Sequence, residues 1–207
     1  MTSSIAGKAK PLPPGIFCPV ISLYKSTPRQ EIDYEASYKY FSYLIRGGVD
    51  GLVLGGTTAE AVLLSPSERQ ELIKTARRAA VDLGFENFPL VAGISGQSTN
   101  ETMRLAQEAR EAGADFGLLL PPSYWAKAVT KDVIIDFYKD VASENILPIV
   151  IYSVSYIGLG YRRVLQELTG NTVPCCLQWS GHEFGCHVDA GPASQYCRCQ
   201  ADLWKCG

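Results

Sequence analysis

Between Gly15 and Tyr152 the chain alternates short, continuously apolar runs with longer stretches whose apolar residues recur every three or four positions. The short runs are IFCPVISL (16–23), GLVLGG (51–56), PLVAGIS (89–95), FGLLL (116–120) and LPIVIY (147–152). Runs of this length without polar alternation predict parallel strands buried on both faces. The longer stretches have helical spacing, as at Ile32, Tyr38, Phe41, Leu44 and Ile45. Ser65-Pro66-Ser67-Glu68 offers an N-cap, a proline at the first helical position and a reciprocal glutamate. Ser98 and Glu101 repeat that spacing, Thr130 can cap a helix starting near Lys131, and Gly47, Gly84 and Gly113 fall where helices should stop. Five strands with intervening helices predict a β/α protein over residues 15–153.

Two architectures fit this order, an open doubly wound sheet and a closed eightfold barrel. No G-x-G-x-x-G follows the first strand, so the dinucleotide-binding version has no support. A barrel places its chemistry at the C-terminal ends of the strands. Unusual residues fall at those ends: Gly55-Gly56-Thr57-Thr58-Ala59-Glu60 after the second run, Pro121-Pro122-Ser123-Tyr124 after the fourth, and Tyr152-Ser153 at the fifth. Read alone, Thr57-Thr58 is equally a polar loop, Tyr124 and Tyr152 are equally rim aromatics, and Glu60 supports the turn.

Composition narrows the function classes. At 207 residues there is room for one ordinary domain. A net charge of −2 gives no electrostatic case for a nucleic-acid or anionic-membrane partner. No apolar run approaches the roughly 20 residues that span a bilayer. The proline-rich start, residues 1–14, reads as a flexible arm without the apolar core of a signal peptide. Cys18 is the only cysteine before position 175, which suits a cytoplasmic protein without disulfides.

The motif GGTTAEAVLLSPSER carries a resemblance to the dihydrodipicolinate synthase/N-acetylneuraminate lyase family of class I aldolases. The similarity is to its fungal-type and 4-hydroxy-2-oxoglutarate aldolase-like branch, over about residues 12–154. It implies a (β/α)8 TIM barrel that binds pyruvate or another 2-oxo acid as a Schiff base on a lysine ending the sixth strand. No metal or organic cofactor is implied, and homo-oligomers are common in the family. By motif position, Thr58 would hold the 2-oxo acid carboxylate through its hydroxyl and backbone N–H. Thr57 would relay protons to Tyr152, the general acid/base, and Tyr124 matches a tyrosine that in some members reaches a neighbouring subunit's site. Linked hydroxyls suit this chemistry, because imine formation and carbon–carbon cleavage each move protons without needing a fixed buried charge. The family usually has glycine where Ala59 stands, so strain is expected at that turn.

The resemblance stops after Val154. Residues 154–207 then hold six of the seven cysteines and both histidines. A zinc module would use Cys175, Cys176, His182, Cys186, His187, Cys197, Cys199 and Cys206, but there is no C-x2-C to pair with a second C-x2-C or with an H-x3-5-H. A shifted reading frame accounts for the composition better. Taking the last two bases of each codon with the first of the next, from Gly181 onward, the genetic code permits GMNLDAMSMLAQHPNIVGVKLTCGN, and HPNIVGVKLTCGN is what the family places on its sixth strand. The segment near 154–180 fits a retained intron. No lysine of this chain stands at the Schiff-base position, and Lys205 lies in sequence unrelated to the motif. The expectation is thus a TIM barrel truncated after about five β/α units, with an open edge at its fifth strand, no strand pattern in the tail, and negligible aldolase activity. A zinc-binding tail and a fragment that poisons an oligomer are the alternatives.

Overall fold

A computed structural model describes residues 12–124, 129–144 and 146–152, with the backbone alone of 153–154, 176–180, 183–188 and 195–199. The five expected strands are β1 (Phe17–Pro19), β2 (Gly51–Leu54), β3 (Leu90–Gly93), β4 (Phe116–Leu119) and β5 (Ile149–Val154). The helices between them are α1 (Tyr34–Arg46), α2 (Pro66–Asp82), α3 (Thr99–Glu111) and α4 (Lys131–Ser143). Strands β1 to β5 pair in chain order and all in parallel. Among the described residues no helix is long and apolar enough to cross a membrane.

Local chemistry sets the helix ends. In α2 the Ser65 hydroxyl accepts from the Glu68 amide and the Glu68 carboxylate accepts from the Ser65 amide, so each satisfies an otherwise orphaned donor. The Ser65 hydroxyl also donates to the Glu68 carboxylate at 2.7 Å, and this bond, together with the one from the Ser65 amide, holds the Glu68 carboxyl below its ordinary pKa. Ser98 caps α3, but Glu101 returns its carboxylate to the Gln97 amide, 2.7 Å away. Ile32 differs from expectation. It lies before the first helix, buried and bridged to Tyr24, because the Asp33 carboxylate accepts from the Ala36 amide and starts α1 there.

Two apolar clusters lie on opposite faces of the sheet. Leu52, Leu54, Leu90, Ala92, Leu119 and Ile151 pack in the larger cluster with Phe41, Ile45, Leu72, Ala76, Leu105 and Phe137 of the helices. Phe17, Val53, Val91, Phe116, Leu118 and Val150 form the second, on the other face. Successive strand residues point to opposite faces, so continuous apolarity is what filling both clusters requires.

The sheet does not end at β5. Strand β6 (Cys176–Ser180) pairs parallel with β5, and β7 (Glu183–Val188) and β8 (Gln195–Cys199) follow in antiparallel order. Two expectations are corrected by this: the edge of β5 is covered, and the tail contributes strands despite lacking an apolar pattern. Backbone N–H and C=O groups at a parallel edge accept a partner strand largely irrespective of its side chains.

Arg77 joins elements at the end of the sheet where β3 and β4 begin. Its guanidinium donates to the carbonyls of Gly113, Phe88 and Glu86 and to the Asp115 carboxylate, 2.6 Å away. Asp115 also accepts from the Leu90 amide, which opens β3. Replacing Arg77 by alanine strands several carbonyls and a carboxylate, and should destabilise the fold by about 2–4 kcal/mol in urea unfolding. Arg77→Lys should recover only part of this, because an ammonium cannot fork to four acceptors.

Candidate functional site

The candidate residues stand at the C-terminal ends of the parallel strands. After β2 the chain turns sharply at Gly55, whose φ of +64° is left-handed. This turn lies against β3, where a side chain at Gly93 would put its Cβ 2.0 Å from the Gly55 carbonyl oxygen. A short 3-10 turn, Thr57–Ala59, follows, closed by the Glu60 amide donating to the Thr57 carbonyl at 3.0 Å. Thr57 and Thr58 are exposed and Ala59 is buried.

The strain expected at Ala59 is found one residue later. Ala59 has no positive φ, whereas Glu60 is left-handed at φ +53° and leads into a second 3-10 turn, Ala61–Leu63. A residue with a Cβ therefore fits at Ala59, and its methyl packs inside.

Tyr152 follows Val150 by two positions on β5 and joins the second apolar cluster. Burial raises its pKa above the ordinary tyrosine value, so the hydroxyl keeps its proton further into the alkaline range than a solvated tyrosine does. Tyr124, after β4, is largely exposed at 77%. The structure brings Thr57, Thr58, Tyr124 and Tyr152 to one rim of the sheet. Among the described residues no direct hydrogen bond joins the hydroxyls of Thr57 and Tyr152.

Sequence reasoning missed the residues that hold this rim. Gln97 accepts from the amides of Ser123 and Tyr124 at 3.2 and 3.1 Å, and Ser95 accepts from the Leu120 amide. Ser22 donates to the Ala59 carbonyl at 2.7 Å, and Arg69 donates to the carbonyls of Ala61 and Leu64. Only their polarity beside strand ends marked them. Of the zinc reading, Cys175, His182 and Cys206 lie outside the described residues. Cys176, Cys186, His187, Cys197 and Cys199 are described by backbone alone.

The sequence profile of the Dihydrodipicolinate synthetase family matches residues 13–159, which takes in every strand of the parallel body and the whole candidate rim. The chain belongs to this family. A Coccidioides immitis protein named as a mitochondrial 4-hydroxy-2-oxoglutarate aldolase is 41% identical over 140 residues, covering 68% of this chain and 43% of that one. An Aspergillus niger L-threo-3-deoxy-hexylosonate aldolase is 35% identical over 144 residues, covering 69% and 43%. A crystal structure of a dihydrodipicolinate synthase family protein from C. immitis aligns at a TM-score of 0.68 and 38% identity, over 76% of this chain and 48% of that one. The family protein YagE of E. coli K12, solved in complex with pyruvate, aligns at 0.65 and 27%, over 76% and 51%. The chain spans about half the length of the relatives it matches, and the parallel strands are part of the family's TIM barrel.

The raised pKa of Tyr152 sets a pH dependence. Below the ordinary tyrosine value of 10.0 both folded and unfolded chains hold the proton. Above it the unfolded chain releases its proton first, so the folded state binds more protons and stability falls as pH rises, until the folded hydroxyl also ionises. Urea midpoints measured across this range should fall less steeply for Tyr152→Phe than for the wild type. Burial likewise raises Tyr24, Tyr34 and Tyr40, which keeps some slope in the variant.

Proposed function

We propose that residues 15–153 are the part of a 2-oxo acid aldolase barrel that receives the substrate carboxylate, and that this chain forms no Schiff base. The observation carrying the first half is the Thr57–Ala59 turn, set at the C-terminal end of β2 on the rim that Tyr152 shares. In this reading Thr58 offers its hydroxyl and N–H to the carboxylate of pyruvate or a related 2-oxo acid. Thr57 and Tyr152 pass protons, and Tyr152, which holds its proton at neutral pH, acts as the acid before it can act as a base. The names of the fungal relatives support cleavage of a hydroxy- or deoxy-2-oxo acid to give pyruvate as one product.

The second half is supported by the strand beside β5. It reads Cys176-Leu177-Gln178-Trp179-Ser180, with no lysine to condense with a carbonyl. Without the amine the covalent route is lost, not merely slowed. We propose further that residues 154–207 are retained intron followed by barrel sequence in a shifted frame, which the transcript across codons 150–207 tests directly. A homo-oligomer of the kind the resemblance implies would draw on the largely exposed Tyr124. Cytoplasmic location remains our reading beside two fungal relatives named as mitochondrial; fractionation of cells expressing the tagged chain separates the two.

Incubation with pyruvate and borohydride should leave the intact mass of the chain unchanged, while a family aldolase containing the lysine gains a reduced adduct. A covalent adduct on this chain would overturn the reading.

A further inference from the structure

The exposed Thr57 and Thr58 side chains depend on the main chain beneath them for their placement. That main chain is unusual, since two 3-10 turns meet at Glu60, a residue with a Cβ in the left-handed region. Such a conformation persists where its surroundings over-determine it. Here the carbonyls on either side of Glu60 are gripped from two different elements. Ser22, after β1, donates its hydroxyl to the Ala59 carbonyl at 2.7 Å. Arg69, on α2, donates Nη2 to the Ala61 carbonyl at 2.5 Å and Nε to the Leu64 carbonyl at 3.4 Å. The Arg69 guanidinium makes no ion pair within 4.0 Å among the described residues. Burial disfavours its charge, and the more distant Glu101 and Glu108 offset this in part. Its charge is thus spent on main-chain oxygens of this loop. Tyr24 closes the group, its pKa raised by burial and by Glu60 and lowered by Ser22.

We propose that Ser22 is a positioning residue for the 2-oxo acid site. By fixing the Ala59 carbonyl while Arg69 fixes that of Ala61, it presets the Thr57–Thr58 turn so that hydroxyl and N–H already face an incoming carboxylate. Ser22 touches neither the substrate nor the reacting atoms. Arg69 alone leaves the turn held on one flank, and the Ala59 carbonyl then lacks its side-chain donor. The role rests on the carboxylate-binding reading given above.

The test uses the full 207-residue chain, labelled with 15N, as wild type, Ser22→Ala and Ser22→Thr. Sodium pyruvate is titrated by following amide shifts at Thr57, Thr58 and Ala59, and hydrogen exchange is measured at the amides of Ala59 and Glu60. Ser22→Ala should weaken pyruvate binding about five-fold, the share of one neutral hydrogen bond, and speed exchange at both amides. Exchange in β3 and α3 should not change. Ser22→Thr, which keeps the hydroxyl, should restore both readouts towards wild type. A Ser22→Ala chain that binds pyruvate as wild type does overturns the proposal, whatever its exchange, since the bond would then be structural only. Weaker binding without faster exchange overturns it too, because the turn would not be what moved. If the wild-type chain binds no pyruvate, the carboxylate-binding reading fails. The exchange data then decide by themselves whether Ser22 holds the turn.

Discussion

The close approach of Gly55 to Gly93 is the contact on which the candidate rim depends. Two neighbouring parallel strands end with their backbones close together, and no side chain fits at Gly93. That allows β2 to turn in the left-handed region at its last step. The two threonines then lie over the rim instead of running on along the strand. A methyl at position 93 would push the Gly55 carbonyl away and displace everything that follows, up to the start of α2.

Most of the parallel body was legible in the sequence, because its signals are periodic and local. Continuous apolar runs mark strands covered on both faces, and the clusters on either side of the sheet show why each run needed both parities filled. The capping box at Ser65 and Glu68 and the N-caps at Ser98 and Thr130 are likewise local chemistry. Thr57, Thr58 and Tyr152 were singled out through a motif, since periodicity alone leaves them as polar loop and rim aromatic. What stayed hidden were side chains reaching distant main-chain oxygens, such as Ser22 to Ala59 and Arg77 to Gly113. A hydroxyl or guanidinium bonded to a carbonyl has no sequence partner that betrays it. The misplaced strain has a similar cause: the substituted glycine drew attention to Ala59, while the backbone turns at Glu60. The covering of β5 was illegible because strand edges are satisfied by backbone, which every sequence carries.

The strand-aligning network and the candidate site occupy opposite ends of this sheet. The Arg77–Asp115 network ties the beginnings of β3 and β4, whereas Gln97, Ser95, Ser22 and Arg69 tie loops at the other end. The two sets share no residue. Substitutions on one rim can therefore alter loop geometry while the other rim keeps the strands aligned.

The change of strand polarity after β6 has a geometric consequence. Strand β7 runs against its neighbours, so its first residue, Glu183, lies opposite Ser180, where β6 finishes, and its last, Val188, lies towards the far side of the sheet. In an all-parallel barrel each successive strand would deliver its exit to the same rim. Here the direction alternates beyond β6, so the exit of β7 is carried away from the rim that holds Thr57 and Tyr152.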